Sequence, residues 1–211
     1  MSVVERIRAV GIVPVVRATS AAEAMGAVEA IRRGGIPILE STLTVPGAID
    51  IIRELAKTIG DDALIGAGTV LDAETARQCL DAGATFIVSP SLDIPTIDLC
   101  RRVDVPVFPG ALTPTEIVSA WKAGANAVKV FPANAVGGPS YLKSLKAPLP
   151  QIELMPTGGV SLTNAGEFIR AGALALGVGA DLVDLAALRR GEADAITEKA
   201  RQYVAAVAAA R

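Results

Sequence analysis

The strongest constraint on the fold of this 211-residue chain is a pattern that occurs four times. In each copy, a segment with helical spacing of apolar residues leads to a glycine and then to a short apolar run: RRGGIPILE, LDAGATFIVSP, WKAGANAVKVFP and IRAGALALGVG. The glycine suits the position just after a helix, where a left-handed backbone is needed, and the β-branched run suits a strand covered on both faces. The pattern therefore predicts helices that lead into buried parallel strands.

The spacing of the four glycines indicates how many strands the chain holds. Gly35, Gly83, Gly124 and Gly172 are separated by 48, 41 and 48 residues, which is room for two strand–helix units in each interval. The intervening strands are found in GIVPVV, ALIGAGTV, VPVFPGAL and IELMPTGGV. We therefore predict eight strands, near residues 11–16, 36–40, 63–66, 85–88, 106–108, 126–130, 152–155 and 174–178.

Helix-length segments lie between the predicted strands. Ser20 precedes one of them, and Thr113 or Thr115 precedes another, as N-cap residues do. Strict alternation of eight strands with helices predicts an α/β protein with a (β/α)8 TIM-barrel fold. We expect a single domain over residues 1–211, with a short N-terminal helix and a closing C-terminal helix in DAITEKARQYVAAVAAAR that has no evident chemical role.

The alternative fold is an open doubly wound sheet. Such a sheet normally carries a glycine-rich first turn between strand and helix, where it binds its ligand. The corresponding turn of this chain reads RATSAAE. The sequence therefore favours the barrel.

Composition argues against several classes of function. The formal charge is −2, from 20 basic and 22 acidic residues, and no basic stripe is interleaved with aromatic residues, so we expect no nucleic-acid partner. No apolar stretch approaches the roughly 20 residues of a membrane span, and MSVVERIRAV lacks the apolar core of a signal peptide. We expect a cytoplasmic protein without a membrane partner. Histidine is absent, and Cys79 and Cys100, which match no metal-ligand spacing, are expected to be buried.

The active site of an α/β barrel lies at the C-terminal ends of the strands. Lys129 is the most informative residue there, because it is the only charge in the apolar run NAVKVFPAN. Burial of a charged ammonium is costly, whereas a neutral amine is a nucleophile. The alternative is a lysine whose stem is buried and whose ammonium reaches the rim. The other polar residues at predicted strand ends are Arg17, Glu40, Thr42, Thr69, Ser89, Thr113 and Thr157.

Glu40 and Arg17 are charged residues that reach the same end of the predicted barrel. Glu40 closes the second strand and, like Lys129, is a charge at the end of a buried strand; the alternative is a buried ion pair or a solvated strand-end charge. Arg17 closes the first strand with a guanidinium suited to a bidentate grip on a carboxylate or phosphate. The alternative for Arg17 is a surface arginine at the start of a loop.

Two glycine clusters follow the last two strands, PTGGV at 156–160 and GVGAD at 177–181. In barrels, the loops at these places commonly bind phosphate through backbone N–H groups, although glycine pairs also mark ordinary turns. A third cluster, GAGTV at 66–70, places the Thr69 hydroxyl where it suits a small acid. Turn chemistry alone also explains its glycines.

Seven segments resemble, in order, those of the class I 2-keto-3-deoxy-6-phosphogluconate (KDPG) aldolases, which often also cleave 4-hydroxy-2-oxoglutarate (KHG). They are GIVPVVRA, ILESTLTVPGA, LIGAGTVLDAE, FIVSPSLD, FPGALTPTEI, AVKVFPA and MPTGGVSLTN, and they cover the chain from about Ile7. The resemblance implies a (β/α)8 barrel, a homotrimer, and a lyase that uses neither metal nor cofactor. Its substrate would be a small 2-keto-4-hydroxy acid, cleaved to pyruvate and an aldehyde, either glyceraldehyde 3-phosphate or glyoxylate.

The same resemblance implies roles for individual residues. Lys129 would form the Schiff base, and Glu40 would be the general acid and base. Arg17 and Thr69 would bind the pyruvyl carboxylate, while Pro90 and Phe131 would wall the pocket. The residues expected to face the distal phosphate are Thr157, Gly158, Gly159, Gly179 and Ala180.

Two positions depart from the family pattern. Thr44 stands where some members have an arginine, which leaves Arg17 alone to bind the carboxylate. Ala180 stands where many members have a serine that donates to the phosphate, a hydrogen bond worth on the order of 1 kcal/mol. These departures keep open a 2-keto-3-deoxy-6-phosphogalactonate aldolase or a pyruvate aldolase with an unphosphorylated substrate, and the sequence does not distinguish the configuration at C4.

Two further alternatives concern the class of function. One is a barrel isomerase, decarboxylase or synthase in which Lys129 acts only through its charge. The other is a non-catalytic phosphate-binding barrel. The joint presence of Arg17, Glu40, Thr69 and Lys129 argues against the second of these.

Overall fold

The structure is a computed structural model that describes every residue from Met1 to Arg211. Nine short strands all pair in parallel, which suits their near-continuous apolar sequences. They are β1 (Ile12–Val16), β2 (Ile38–Thr42), β3 (Leu64–Gly68), β4 (Phe86–Val88), β5 (Val107–Phe108), β6 (Gly110–Ala111), β7 (Val128–Val130), β8 (Leu154–Pro156) and β9 (Leu176–Val178).

Ten α-helices and two short 3-10 turns connect the strands, and the short N-terminal and long C-terminal helices are present as predicted. The helices are α1 (Val3–Val10), α2 (Ala21–Arg33), α3 (Ala48–Ile59), α4 (Ala73–Asp81), α5 (Ile94–Arg102), α6 (Pro114–Ala123), α7 (Pro139–Lys146), α8 (Ala165–Arg170), α9 (Leu185–Arg189) and α10 (Ala193–Ala210). The 3-10 turns are Gly60–Asp62 and Ala133–Val136.

The predicted helix caps can be checked directly. The Ser20 hydroxyl accepts a hydrogen bond from the Glu23 N–H at 3.1 Å, which confirms that cap of α2. Thr113, rather than Thr115, caps α6, and the Glu116 carboxylate accepts from the Thr113 N–H at 2.8 Å to complete a capping box. Both caps stabilise the first turn of a helix that follows a strand end.

The strands form two sheets, in the orders β5-β4-β3-β2-β1-β9 and β6-β7-β8. β5 and β6 are separated only by Pro109, which has no N–H to donate to a ladder. Isolated bridges pair Leu154 with Ala173 and Thr157 with Gly177, next to β8 and β9. The α/β class with a curled parallel sheet is therefore confirmed, whereas the predicted eight-stranded barrel does not form one continuous hydrogen-bonded sheet.

The four glycines that define the repeated pattern have the predicted left-handed backbone. The φ angles of Gly35, Gly83, Gly124 and Gly172 lie between +95° and +103°. At the first of them the Ile36 N–H donates to the Ile31 carbonyl at 3.2 Å, as in a Schellman motif. Asp104 occupies the equivalent position after α5 with φ +57°, which a search for glycine misses.

A single cluster of 60 buried residues runs from Ile7 to Val207 and joins the strands to the inner faces of the helices. Cys79 and Cys100 are buried and unpaired, as expected, and burial raises the pKa of each thiol to about 11. No helix combines the length and the apolar character that crossing a membrane requires. The core thus includes strand residues of both sheets.

Candidate active site

A cavity of about 540 Å³ opens at the C-terminal ends of the strands. It is lined by every residue that the sequence analysis assigned to the site: Arg17, Glu40, Thr69, Pro90, Lys129, Phe131, Thr157, Gly158, Gly159, Gly179 and Ala180. The other lining residues are Val15, Thr44, Val160, Gly177 and Asp181. Residues spread along the whole chain are therefore brought together because parallel strands end at one edge.

Three polar residues named at predicted strand ends do not line the cavity. Thr42 is buried and its hydroxyl lies 2.6 Å from that of Thr44. Ser89 accepts a hydrogen bond from the Ser91 N–H at 3.2 Å, and Thr113 caps α6. These side chains are satisfied within the protein and serve its local structure.

Lys129 lies in the middle of β7 and is only 5% exposed. Side chains alternate along a strand, so Lys129 faces the cavity while Val128 and Val130 belong to the hydrophobic core. Its Nζ lies 5.1 Å from the centroid of the Phe131 ring. The amine forms no salt bridge, since no carboxylate oxygen lies within 4.0 Å. Its position is therefore that of an unpaired amine at the wall of a cavity.

Glu40 lies on β2, in register with Val15 of β1 and Gly66 of β3, and is 1% exposed. Its Oε1 is buried without a hydrogen-bond partner. Burial raises the pKa of Glu40, and the positive charges of Lys129 and Arg17 offset only part of that effect. A carboxyl group with a raised pKa is suited to both taking and returning a proton near neutral pH.

Threonines line one wall of the cavity. The Thr44 N–H donates to the Thr42 hydroxyl at 3.2 Å, and the Thr69 hydroxyl lies 3.4 Å from the same oxygen. Thr69 has φ +62°, which is rare for a β-branched residue and costs conformational energy. Thr69 thus lines the cavity in an unfavourable backbone conformation.

Arg17 is exposed at the mouth and forms no salt bridge. Its Nη1 lies 3.5 Å from the place that a Cβ on Gly179 would occupy. The guanidinium therefore lies beside the loop after β9, while its charge also acts on the pKa of Glu40.

The loops after β8 and β9 present unused backbone donors. The carbonyls of Thr157 and Gly158 accept from the N–H groups of Ala133 and Asn134, at 2.9 and 3.2 Å. The N–H groups of Gly158, Gly159 and Ala180 donate to no other group of the protein. Free N–H groups on adjacent loops form a site suited to an anion or another acceptor.

Four lining residues were not assigned to the site from the sequence: Val15, Val160, Gly177 and Asp181. A Cβ on Gly177 would overlap the Thr157 hydroxyl, which is buried without a partner. Asp181 accepts a hydrogen bond from the Tyr203 hydroxyl, so helix α10 contacts a residue that lines the cavity. Asp181 is a carboxylate three residues after the end of β9, a position that the sequence could have pointed to.

The fold and the site together define a class of protein. An unpaired, buried lysine amine shares a cavity at the strand ends with a buried carboxyl of raised pKa and with free backbone N–H groups. No group of three or more His, Cys, Asp or Glu side chains is placed to hold a metal ion. Such a site belongs to a Schiff-base enzyme of the α/β class. The model of the KDPG and KHG aldolase family matches residues 3–199, so the chain belongs to that family and is a class I aldolase.

Individual relatives agree with this assignment. The KHG/KDPG aldolase of Escherichia coli (strain K12) is 34% identical over 193 residues, which cover 92% of this chain and 90% of that protein. The 2-dehydro-3-deoxy-phosphogluconate aldolase of Haemophilus influenzae is 36% identical over 167 residues, or 79% of this chain and 78% of that protein.

Solved structures share the fold. A native KDPGal structure superposes with a TM-score of 0.86 at 34% identity, covering 94% of this chain and 95% of that one. KDPG aldolase from Legionella pneumophila, with pyruvate captured as a covalent carbinolamine intermediate, gives a TM-score of 0.87 at 31% identity and covers 94% and 96% of the two chains. The similarity therefore extends over nearly the full length of both chains.

Proposed function

We propose that the chain cleaves a 2-keto-4-hydroxy acid to pyruvate and an aldehyde through an imine on Lys129, with KDPG and KHG as the candidate substrates. The observation that carries this proposal is the pairing, in one cavity, of the unpaired Lys129 amine with the Glu40 carboxyl, whose pKa burial raises. Relatives named for both substrates support the choice.

The first step is attack of the Lys129 amine on the C2 ketone. The nitrogen lone pair forms the new bond, the carbonyl oxygen takes a proton, and the resulting carbinolamine loses water to give an iminium. The covalent carbinolamine in the Legionella relative supports this step.

The second step breaks the C3–C4 bond. Glu40 takes the proton of the C4 hydroxyl, the aldehyde leaves, and the bonding electron pair passes to the iminium to form an enamine. Protonated Glu40 then returns the proton to C3, and water releases pyruvate from Lys129. A single carboxyl whose pKa is raised by burial suits both directions of proton transfer.

The two ends of the substrate have different neighbours in this proposal. The pyruvyl carboxylate binds Arg17 and Thr69, and Pro90 and Phe131 wall the reacting carbons. The group beyond C4 faces the free N–H donors and the threonine of the loops after β8 and β9: Thr157, Gly158, Gly159, Gly179 and Ala180. Arg17, beside Gly179, also supplies positive charge to that end.

We also propose that residues 1–211 form one domain whose two sheets close into a single (β/α)8 barrel. β5 and β6 then count as two halves of one strand, split at Pro109, which leaves eight strand positions. The bridge between Thr157 and Gly177 supports closure on the other side. A homotrimer follows from the family resemblance alone, and sedimentation equilibrium tests it.

The decisive test is borohydride reduction in the presence of pyruvate. We expect one reduced pyruvyl adduct per chain, located by peptide mass on Lys129 and not on Lys146, whose Nζ donates to the Pro150 and Ile152 carbonyls. No adduct on Lys129 would end the proposal. Lys129→Arg should abolish pyruvate release, whereas an isomerase or synthase that needs only the charge retains appreciable activity.

A further inference from the structure

Asp181 joins three separate parts of the structure at the edge of the cavity. Its Oδ2 accepts hydrogen bonds from the Tyr203 hydroxyl at 2.5 Å and from the Leu162 N–H at 3.3 Å. The Lys199 Nζ lies 3.5 Å from the same oxygen. One carboxylate oxygen therefore connects the loop after β8, the loop after β9 and helix α10.

The α10 side of this junction is buried in the core. Tyr203 is fully buried and is among the largest fully buried side chains of the protein. Burial and the neighbouring Asp181 raise the pKa of Tyr203, so its hydroxyl remains a donor throughout the working range of pH. A hydrogen bond to an ionised carboxylate is about twice as strong as one between neutral groups. Tyr203 thus anchors Asp181 to the core.

The loops on the other side of the junction need such an anchor. The unused N–H donors belong to Gly158 and Gly159 on one loop and to Ala180 on the other. Both glycines have positive φ, +89° and +72°, in backbone that glycine leaves conformationally free. Donors bind strongly only where they are held in place before the ligand arrives. Apart from the bridge at Thr157 and Gly177, the Asp181–Leu162 hydrogen bond is the direct link between the two loops.

We propose that Asp181, anchored by Tyr203, is a positioning residue that holds the two loops as one binding site for the part of the substrate beyond C4. Helix α10 thereby sets the affinity for that part without touching the substrate, because neither Tyr203 nor Lys199 lines the cavity. The inference rests on the proposed function in that it takes the distal group to belong to a 2-keto-4-hydroxy acid.

The test compares Tyr203→Phe with Thr197→Val. Thr197 lies on the same helix, is also buried, and donates to the Ala30 carbonyl at 2.8 Å, on the α2 side and away from Asp181. Each variant loses one buried hydroxyl and its hydrogen bond. Steady-state kinetics are measured with the wild type's better substrate of KDPG and KHG, and with 4-hydroxy-2-oxobutanoate, which has no carbon beyond C4.

We expect Tyr203→Phe to raise KM for the longer substrate about fivefold, equivalent to about 1 kcal/mol, while KM for 4-hydroxy-2-oxobutanoate stays within about twofold. Thr197→Val should leave both KM values within about twofold, although it lowers the melting temperature comparably. kcat for the short substrate stays unchanged in both variants, because Lys129 and Glu40 are not displaced.

Two results overturn the inference while leaving the proposed function intact: an unchanged KM for the longer substrate in Tyr203→Phe, or an equal rise for both substrates. Borohydride trapping of pyruvate is measured on the same preparations to distinguish these two results from failure of the proposed function. If the proposed function is wrong, the wild type forms no pyruvyl adduct, and the inference about Asp181 is then also wrong. If Tyr203→Phe does not fold, Lys199→Met removes the other α10 contact of Asp181, and the same selective rise in KM is required of it.

Discussion

Gly68 lies directly against the side chain of Glu40. A Cβ on Gly68 would lie 2.6 Å from the Glu40 Cγ and would overlap the carboxyl group itself. Gly68 pairs with Thr42 on the neighbouring strand, and its backbone has no positive φ, so glycine is needed there for space and not for conformation. The absence of a side chain at Gly68 of β3 therefore leaves the space that the Glu40 carboxyl occupies.

This contact predicts the effect of a single methyl group. Gly68→Ala should displace the Glu40 carboxyl and lower kcat about 100-fold or more, since misplacement of a reacting group by about 1 Å costs that much. Gly26→Ala is the control: the site is in α2, its Cβ would lie 3.4 Å from Leu188, and alanine favours a helix. The control should keep full activity, as measured by pyruvate release. Full activity in Gly68→Ala would show that the carboxyl has room to move.

Glu40→Gln tests the proton transfer separately from imine formation. The amide keeps the shape of the side chain but cannot take a proton, so kcat for cleavage should fall by about 10²- to 10⁴-fold. Borohydride trapping of pyruvate on Lys129 should persist, because it does not need cleavage of the C3–C4 bond. Parallel loss of trapping and cleavage would assign Glu40 a structural role instead.

The same substitution should change how stability depends on pH. Burial raises the pKa of Glu40 in the folded protein above the ordinary value of about 4.3. Below that value the folded and unfolded states both carry the proton, and as pH rises through the folded pKa the buried group must ionise and stability is lost. Glu40→Gln should therefore gain free energy of unfolding over the wild type at about pH 8, and the gain should vanish toward about pH 4.

Glu116 provides a control, because its pKa is shifted in the opposite direction from that of Glu40. Hydrogen bonds from Thr113 and Leu112 lower the pKa of Glu116, so its ionised form stabilises the fold above the unfolded pKa. Glu116→Gln should thus be less stable than the wild type at about pH 8, with the difference shrinking as pH falls. Urea unfolding of both variants from about pH 8 to about pH 3 measures the two trends, since the Glu116 difference shrinks only below the unfolded pKa. Parallel trends would contradict the assignment of Glu40 as a carboxyl destabilised by burial.

Ala180→Ser tests what the distal end of the cavity is built to bind. A serine hydroxyl would add one donor beside the free N–H groups, and a hydrogen bond to a charged oxygen is worth about 1.5 kcal/mol or more. We expect kcat/KM for KDPG to rise about tenfold, with KHG changing less, because the added donor is placed for a phosphate. A wild type that strongly prefers KDPG together with no effect of the serine would show that Ala180 does not weaken phosphate binding.

The sequence predicted where the strands lie, but not that they pair in two separate sheets. Each predicted strand overlaps an observed one, but several start about two residues early, as at 36–40 against Ile38–Thr42. The residues after each glycine are extended before they reach a partner strand, and apolar patterning does not separate extended from paired backbone. Pro109 separates β5 from β6 in the segment VPVFPGAL because proline has no N–H to donate to the ladder. The pattern of apolar residues does not indicate this interruption.

Within the site, the sequence predicted the reactive side chains, but it did not predict the glycines that leave space for them or the carboxylate that links the loops. Lys129 and Glu40 stand out because a charge on an apolar run is unusual. Gly68 and Gly177 do not, since their importance depends on the side chains of Glu40 and Thr157 on neighbouring strands. The Asp181–Tyr203 contact spans 22 residues and a helix, and no local pattern predicts it.

Substitutions of Thr69 test both the cost of its backbone conformation and the proposed binding of the pyruvyl carboxylate by its hydroxyl. Its φ of +62° is costly for a β-branched residue, by about 1–3 kcal/mol, whereas glycine adopts that conformation freely. Thr69→Gly should therefore raise the free energy of unfolding by about 1 kcal/mol, after the greater flexibility of the unfolded glycine offsets part of the gain. It should also raise the pyruvate concentration needed for half-maximal trapping on Lys129, because the hydroxyl proposed to bind the carboxylate is gone. Thr69→Ser keeps the hydroxyl and should keep the wild-type pyruvate dependence with a smaller gain in stability, so a serine variant that binds pyruvate as weakly as the glycine variant would remove the hydroxyl from the carboxylate site.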